Sequence, residues 1–304
     1  MINKSCIILI FFIIYKTVIG DALSASNKQI IYINSNKLEA DRKNSVYDID
    51  YKNDIIYIPD YRNNKIIIIG KDHSVVKTVS TQAPHSIEVD DKGNIYITSL
   101  SDNRVRKFDK DIIEIADWDS KIHSLLIDHR PYSIDSDDDA NIYIAAHDLI
   151  IKVSENGQFI KKFDFSKLDS VEVYPHGITF HKNKIYVAER ETHKLLIFDT
   201  EGKYLNSFTT KIKSDNKRDL YFDPHSINFY NDTFILVPNY KNSSLHVFDI
   251  KGEEIKIVGG KGKSYGQWLS LMNVVEDKKG NIYTVEEDSN RIQIINFLEL
   301  INSN

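Results

Sequence analysis

Cysteine is almost missing from the chain. The single one, Cys6, lies in an apolar run near the start, so the remainder holds no thiol for a disulfide framework. A basic footprint is missing too. The net charge is −5, the sequence pI is near 6.1, and lysine alternates with aspartate instead of clustering, so nucleic acid is not an expected partner. Beyond residues 6–15 no stretch is apolar enough to cross a bilayer. There is no Gly-x-Ser-x-Gly, phosphate loop or Gly-x-Gly-x-x-Gly, which removes the common local signatures of hydrolases and nucleotide-binding enzymes.

What the sequence does have is repetition. Pro84-His85-Ser86-Ile87, Pro175-His176-Gly177-Ile178 and Pro224-His225-Ser226-Ile227 are copies of one phrase, and Pro131-Tyr132-Ser133-Ile134 carries tyrosine in the histidine position. Each copy opens a unit of short apolar strands separated by polar turns, and equivalent positions recur about every 38 to 49 residues. Isoleucine, valine, tyrosine and threonine dominate the runs, which favours strands over helices. Six units, starting near Val46, Pro84, Pro131, Pro175, Pro224 and Leu271, predict an all-β six-bladed β-propeller with four strands per blade. The sixth unit lacks the turn that precedes a fourth strand elsewhere. The isolated run Gln29-Ile30-Ile31-Tyr32-Ile33-Asn34 is therefore expected to supply that strand and close the ring.

Aligning the units places Tyr47, His85, Tyr132, His176, His225 and Met272 in one position at the start of the innermost strand, which lines a propeller's axial channel. Three histidines at one level, His85, His176 and His225, are a candidate metal set, with zinc first and calcium second. Such an ion would lower the pKa of bound water or polarise a substrate oxygen. Arg190, one strand outward on the fourth unit, could clamp a carboxylate in bidentate fashion or pair with a neighbouring acid. His147 is a candidate base from the adjacent unit, or a solvated loop residue. The acidic groups Asp135, Asp137, Asp138, Asp139 and Glu286-Glu287-Asp288 could bind calcium or stand as solvated turns.

These phrases resemble the NHL-repeat propellers over nearly the whole chain after residue 22. Within them they resemble peptidyl-α-hydroxyglycine α-amidating lyase. That resemblance implies release of glyoxylate from a hydroxylated C-terminal glycine, leaving a peptide amide. The family's fourth blade has Pro-His, a strand and then Ala-Asp-Arg with a catalytic arginine; this chain has Pro175-His176 and then Ala188-Glu189-Arg190. His85 matches the family's metal histidine on the second blade. Three features depart from the pattern. The family's third metal histidine lies on the last blade, where Met272-Asn273 stand here, and His225 sits one blade earlier, about 60° around a six-fold ring. Its catalytic tyrosine is replaced by Ala145-Ala146-His147-Asp148, and its disulfides are absent.

Two functions follow. One is an exported metal-dependent lyase or hydrolase acting, as a monomer, on a small polar substrate or a peptide C-terminus at the channel mouth. The other is a non-catalytic binding propeller recognising a peptide, glycan or protein partner. A lactonase-like or streptogramin-lyase-like activity is a third option. Asn231-Asp232-Thr233 and Asn242-Ser243-Ser244 match the N-glycosylation pattern, relevant only in a eukaryotic host.

Residues 1–22 have the order of a secretory signal peptide: Lys4, the apolar run Cys6 to Tyr15, then small residues around Gly20 and Ala22. No membrane segment is expected beyond it, and residues 23–304 form a single propeller domain, secreted or periplasmic. Cleavage should fall between about Gly20 and Ala25. N-terminal sequencing of the protein from its host checks this, and a chain beginning at Met1 would point to a membrane anchor.

Overall fold

The computed structural model describes residues 29–32, 45–163, 165, 173–210, 222–287, 289 and 291–302. The expected signal segment and cleavage zone lie outside them. Among the described residues six antiparallel sheets stand in a ring as a six-bladed β-propeller. No described helix is long and apolar enough to cross a membrane.

The blades form because their strands are apolar on both sides. In the first blade Lys65–Ile69 alternates its isoleucines between two seams. Ile66 and Ile68 pack with Ile87, Ile95 and Ile97 of the second blade, whereas Ile67 and Ile69 pack with Met272, Val285 and Ile292 of the sixth. A period of two thus turns an unbroken hydrophobic run into two interfaces. The same alternation gives each neighbouring pair of blades its own buried cluster, six seams among the described residues.

The ring closes as the missing turn implied. Gln29–Tyr32 pairs antiparallel with the third strand of the last blade, with Gln29 opposite Ile294 and Tyr32 opposite Arg291. Ile33 and Asn34 lie outside the described residues. Leu298–Ile301 is not a strand: Phe297–Asn302 is a helix that buries Phe297, Leu300 and Ile301 against the seam of the fifth and sixth blades.

The second blade departs from expectation. Its sheet has three strands, and after Arg104–Phe108 the chain makes a single bridge, Phe108 to Glu114, before entering a helix, Ala116–His123. The cause is a change of period from two to about 3.6. Trp118, Ile122 and Leu126 recur every four residues and share one buried cluster with Tyr96 and Ile144. The Trp118 indole N–H donates to the Glu155 carbonyl at 2.8 Å, fixing the helix across to the third blade.

The closing strand makes a testable claim. Deleting residues 23–36 should uncover the edge at Arg291–Asn296 and remove Ile31 from its seam. A melting temperature about 4–10 °C lower is expected, with concentration-dependent aggregation. Unchanged melting would show that the ring does not need the strand.

Candidate functional site

Pro84, Pro131 and Pro175 start inner strands, as does Leu271 on the sixth blade, and each pairs with the last residue of its second strand: Pro84 with Ser99, Pro131 with Ala146, Pro175 with Glu189 and Leu271 with Glu286. Pro224 makes the same contact to Asn239 as an isolated bridge ahead of its strand. Val46 makes the equivalent bridge to Asp60. The register slips just after the proline in the second and fourth blades, where pairing resumes at Ile87 with Ile97 and at Gly177 with Ala188. Such a bulge leaves the next residue unpaired and re-aims its side chain. Here that residue is His85 or His176, directed into the channel.

The site is a cavity of about 70 Å³ on the axis, lined by all six inner strands. At its upper level the rings form a chain. Tyr47 stacks on His85 at 4.8 Å, Tyr132 stacks on His176 at 5.0 Å, His85 lies 6.2 Å from His176, and His176 meets His225 edge-on at 4.1 Å. Tyr240 continues it, 5.8 Å from His225. Met272 is absent from this wall. It packs between the first and sixth blades, and Asn273 lines the cavity on that side instead.

Gly177 explains the closeness of His176 and His225. A Cβ at this position would stand 2.8 Å from the His225 carbonyl oxygen and from Ser226 Cα, both backbone atoms. The serine found in the other copies would not fit. The fourth copy is therefore Pro-His-Gly because its strand runs hard against the fifth blade.

All three imidazoles are neutral near pH 7. Burial pushes His85 down to about 4. Burial, then His85 and Arg190 nearby, push His176 to about 3. Burial, then His176, Arg190 and His85, hold His225 well below its ordinary value. With Nδ1 protonated, His85 donates to the Tyr132 carbonyl at 2.8 Å and His176 to the His225 carbonyl at 3.3 Å, which leaves Nε2 as an acceptor on each.

Arg190 lies near His176 and His225 but is already engaged. Its Nε donates to Asp223 Oδ1 at 2.6 Å and its Nη2 to Asp223 Oδ2 at 2.9 Å, and the guanidinium lies over Tyr240. Glu189 is not its partner. That buried carboxylate accepts from the backbone of Tyr174, Glu191 and Thr192. His147 occupies the same place on the third blade as Arg190 on the fourth, one residue beyond the strand-end partner. It is exposed, and its ring packs edge-on against Tyr174 at 4.8 Å, outside the ring contacts of the three histidines. Glu287 is the equivalent residue on the sixth blade, gripped by Tyr47 Oη at 3.0 Å and Tyr240 Oη at 3.2 Å. Burial, then Glu287, push the Tyr47 phenol up to about 12.

Below the histidines lies a polar floor. Asp48 accepts from the Ile49 and Ile87 N–H groups at 2.8 and 2.9 Å, from Ser86 Oγ at 2.5 Å and from Asn273. Deeper still, Asp50, Glu88 and Asp135 occupy equivalent positions on three successive blades. Burial pushes Asp50 up to about 6 and Asp135 to about 7, and burial with Asp135 nearby raises Glu88 well above its ordinary value. Asp135 thus belongs to the channel, whereas Asp137 is a turn residue whose carboxylate accepts from Asp139 and Asn141. Glu286 is ion-paired with Arg291 inside the last blade. Among the described residues no group of three or more His, Cys, Asp or Glu side chains is arranged to hold a metal ion.

No family model matches the chain. Among solved structures it is similar to virginiamycin B lyase from Staphylococcus aureus. One example is a catalytically inactive variant with one histidine replaced by alanine, bound to quinupristin. It shares 15% identity at a TM-score of 0.63, covering 89% of this chain and 100% of that one. A streptogramin B lyase structure matches at 11% identity and a TM-score of 0.60, over 88% and 97%. A Bacteroides caccae protein of unknown function matches at 17% and 0.55, over 73% and 78%. At these identities the likeness shows the fold.

Replacing Gly177 with serine, the residue of the sister repeats, should drive the fourth and fifth blades apart and cost about 1–3 kcal/mol. Urea unfolding measures it. Wild-type stability in that variant would mean the two strands are not in contact.

Proposed function

We propose that the channel mouth is a lyase-type site working by acid–base chemistry on a bound polar substrate. The observation carrying this reading is the cluster of His85, His176 and His225, three neutral imidazoles with acceptor nitrogens on a solvent-connected cavity, beside Arg190 and Glu287. A neutral imidazole can take a proton from carbon or oxygen, and negative charge developing on the substrate beside it raises its basicity. Tyr132 and Tyr240 flank the same space and can stack on a substrate ring, and the Tyr132 O–H can donate to a leaving oxygen. The likeness in fold to streptogramin lyases, one of them inactivated by loss of a histidine, supports a lyase over a hydrolase.

The narrower amidating-lyase reading keeps its support from Pro175-His176 and Ala188-Glu189-Arg190. The closed fork of Arg190 favours a substrate without a free carboxylate, which a C-terminal hydroxyglycine carries. The binding-propeller reading is favoured by a different observation. The unliganded imidazoles of His85 and His176 titrate several units below neutrality, far from the range at which a general base is most effective.

Two assays distinguish these readings: consumption of virginiamycin B, and glyoxylate release from an α-hydroxyglycine peptide. His176→Ala and His225→Ala should each lower the active assay at least about 100-fold while the fold is kept. Metal analysis of the purified chain tests the three-histidine expectation in the same preparation. Turnover of neither substrate, together with saturable ligand binding that needs the histidines, would leave the binding propeller.

A further inference from the structure

Asp223 immediately precedes Pro224-His225 and stands at the mouth between the fourth and fifth blades. Both of its oxygens meet one edge of the Arg190 guanidinium, the pattern by which arginine takes a ligand carboxylate. Its position is fixed by its own backbone. The Asp223 N–H donates to Asn239 Oδ1 at 3.1 Å, and the Asp223 carbonyl accepts from the Tyr240 N–H at 3.1 Å. The Asp223 side chain is 9% exposed and that of Arg190 35%, so the cation reaches the mouth while the carboxylate behind it stays covered.

The surrounding charge points the same way. Glu287, held by Tyr47 and Tyr240, adds a second fixed carboxylate. The neutral histidines add no positive charge. An acidic ligand would therefore meet two carboxylates and a cation whose fork is occupied.

We propose that Asp223 is a specificity-determining residue: it fills the Arg190 fork in place of a ligand carboxylate, so the mouth admits ligands that lack a carboxylate and turns away those that carry one. The inference rests on the mouth being a ligand site, and not on that site being catalytic.

The test uses glycolate as a small carboxylate probe on the full chain, read by isothermal titration calorimetry, which applies equally to variants that lack Arg190. Wild type should show weak binding or none. Asp223→Asn, which keeps shape and removes charge, should bind glycolate at least ten-fold more tightly, and Asp223→Asn with Arg190→Gln should lose that gain. Asp223→Ser repeats the comparison should the asparagine variant fold poorly. Wild type that binds glycolate as tightly as the variants overturns the proposal, as does a variant with no gain or a gain that survives Arg190→Gln. Because the readout is binding, an inactive chain that gains glycolate affinity upholds this inference while counting against the lyase reading.

Discussion

Neighbouring inner strands of the ring share no ladder of backbone hydrogen bonds, so their channel-side N–H groups must be satisfied by side chains of the adjacent blade. Asp48 and Asp50 of the first blade accept from Ile87 and Val89 of the second. Ser133 and Asp135 of the third accept from Ile178 and Phe180 of the fourth. Asn273 of the sixth reaches Asp48, so the polar stitching crosses the same seam that Gln29–Tyr32 closes at the rim. The polar channel is thus a structural necessity before it is a site. Its acids answer orphan donors, and the histidines stand in the layer above them.

That division explains which residues could be read in advance. The six-fold repeat and the meeting of His85, His176 and His225 follow from local periodicity, and the closure by Gln29–Tyr32 follows from the turn the sixth unit lacks. The first two need only equivalent positions to be equivalent in space. The helix at Ala116–His123 was legible in principle, through the spacing of Trp118, Ile122 and Leu126, but the second unit carries the same kind of turn that precedes a fourth strand in its sisters, so a fourth strand is what its sequence implies. Met272 misled for a similar reason. It shares the histidine position in sequence, yet an apolar side chain at that point gains more from the seam than from a polar channel.

Pairings between blades were beyond reach. Arg190 and Asp223 are separated by 33 residues, and nothing in either unit marks the other as its partner. Glu287 was visible as part of an acidic turn, but its grip by Tyr47 and Tyr240 draws together residues of the first, fifth and sixth blades. The raised carboxyls and lowered imidazoles are likewise products of enclosure.

Gly177 has a consequence for the modularity of the ring. Repeat proteins invite the exchange of one unit for another, since the units share one plan. Here the fourth blade presents a notch in its backbone envelope that receives His225 and Ser226. A copy of the second blade placed there would bring Ser86 where no Cβ fits, so the six units are homologous in outline but not interchangeable. The axis between the fourth and fifth blades is pinched, and the histidines are drawn together on that side. A seam shaped for packing has set where His176 and His225 meet.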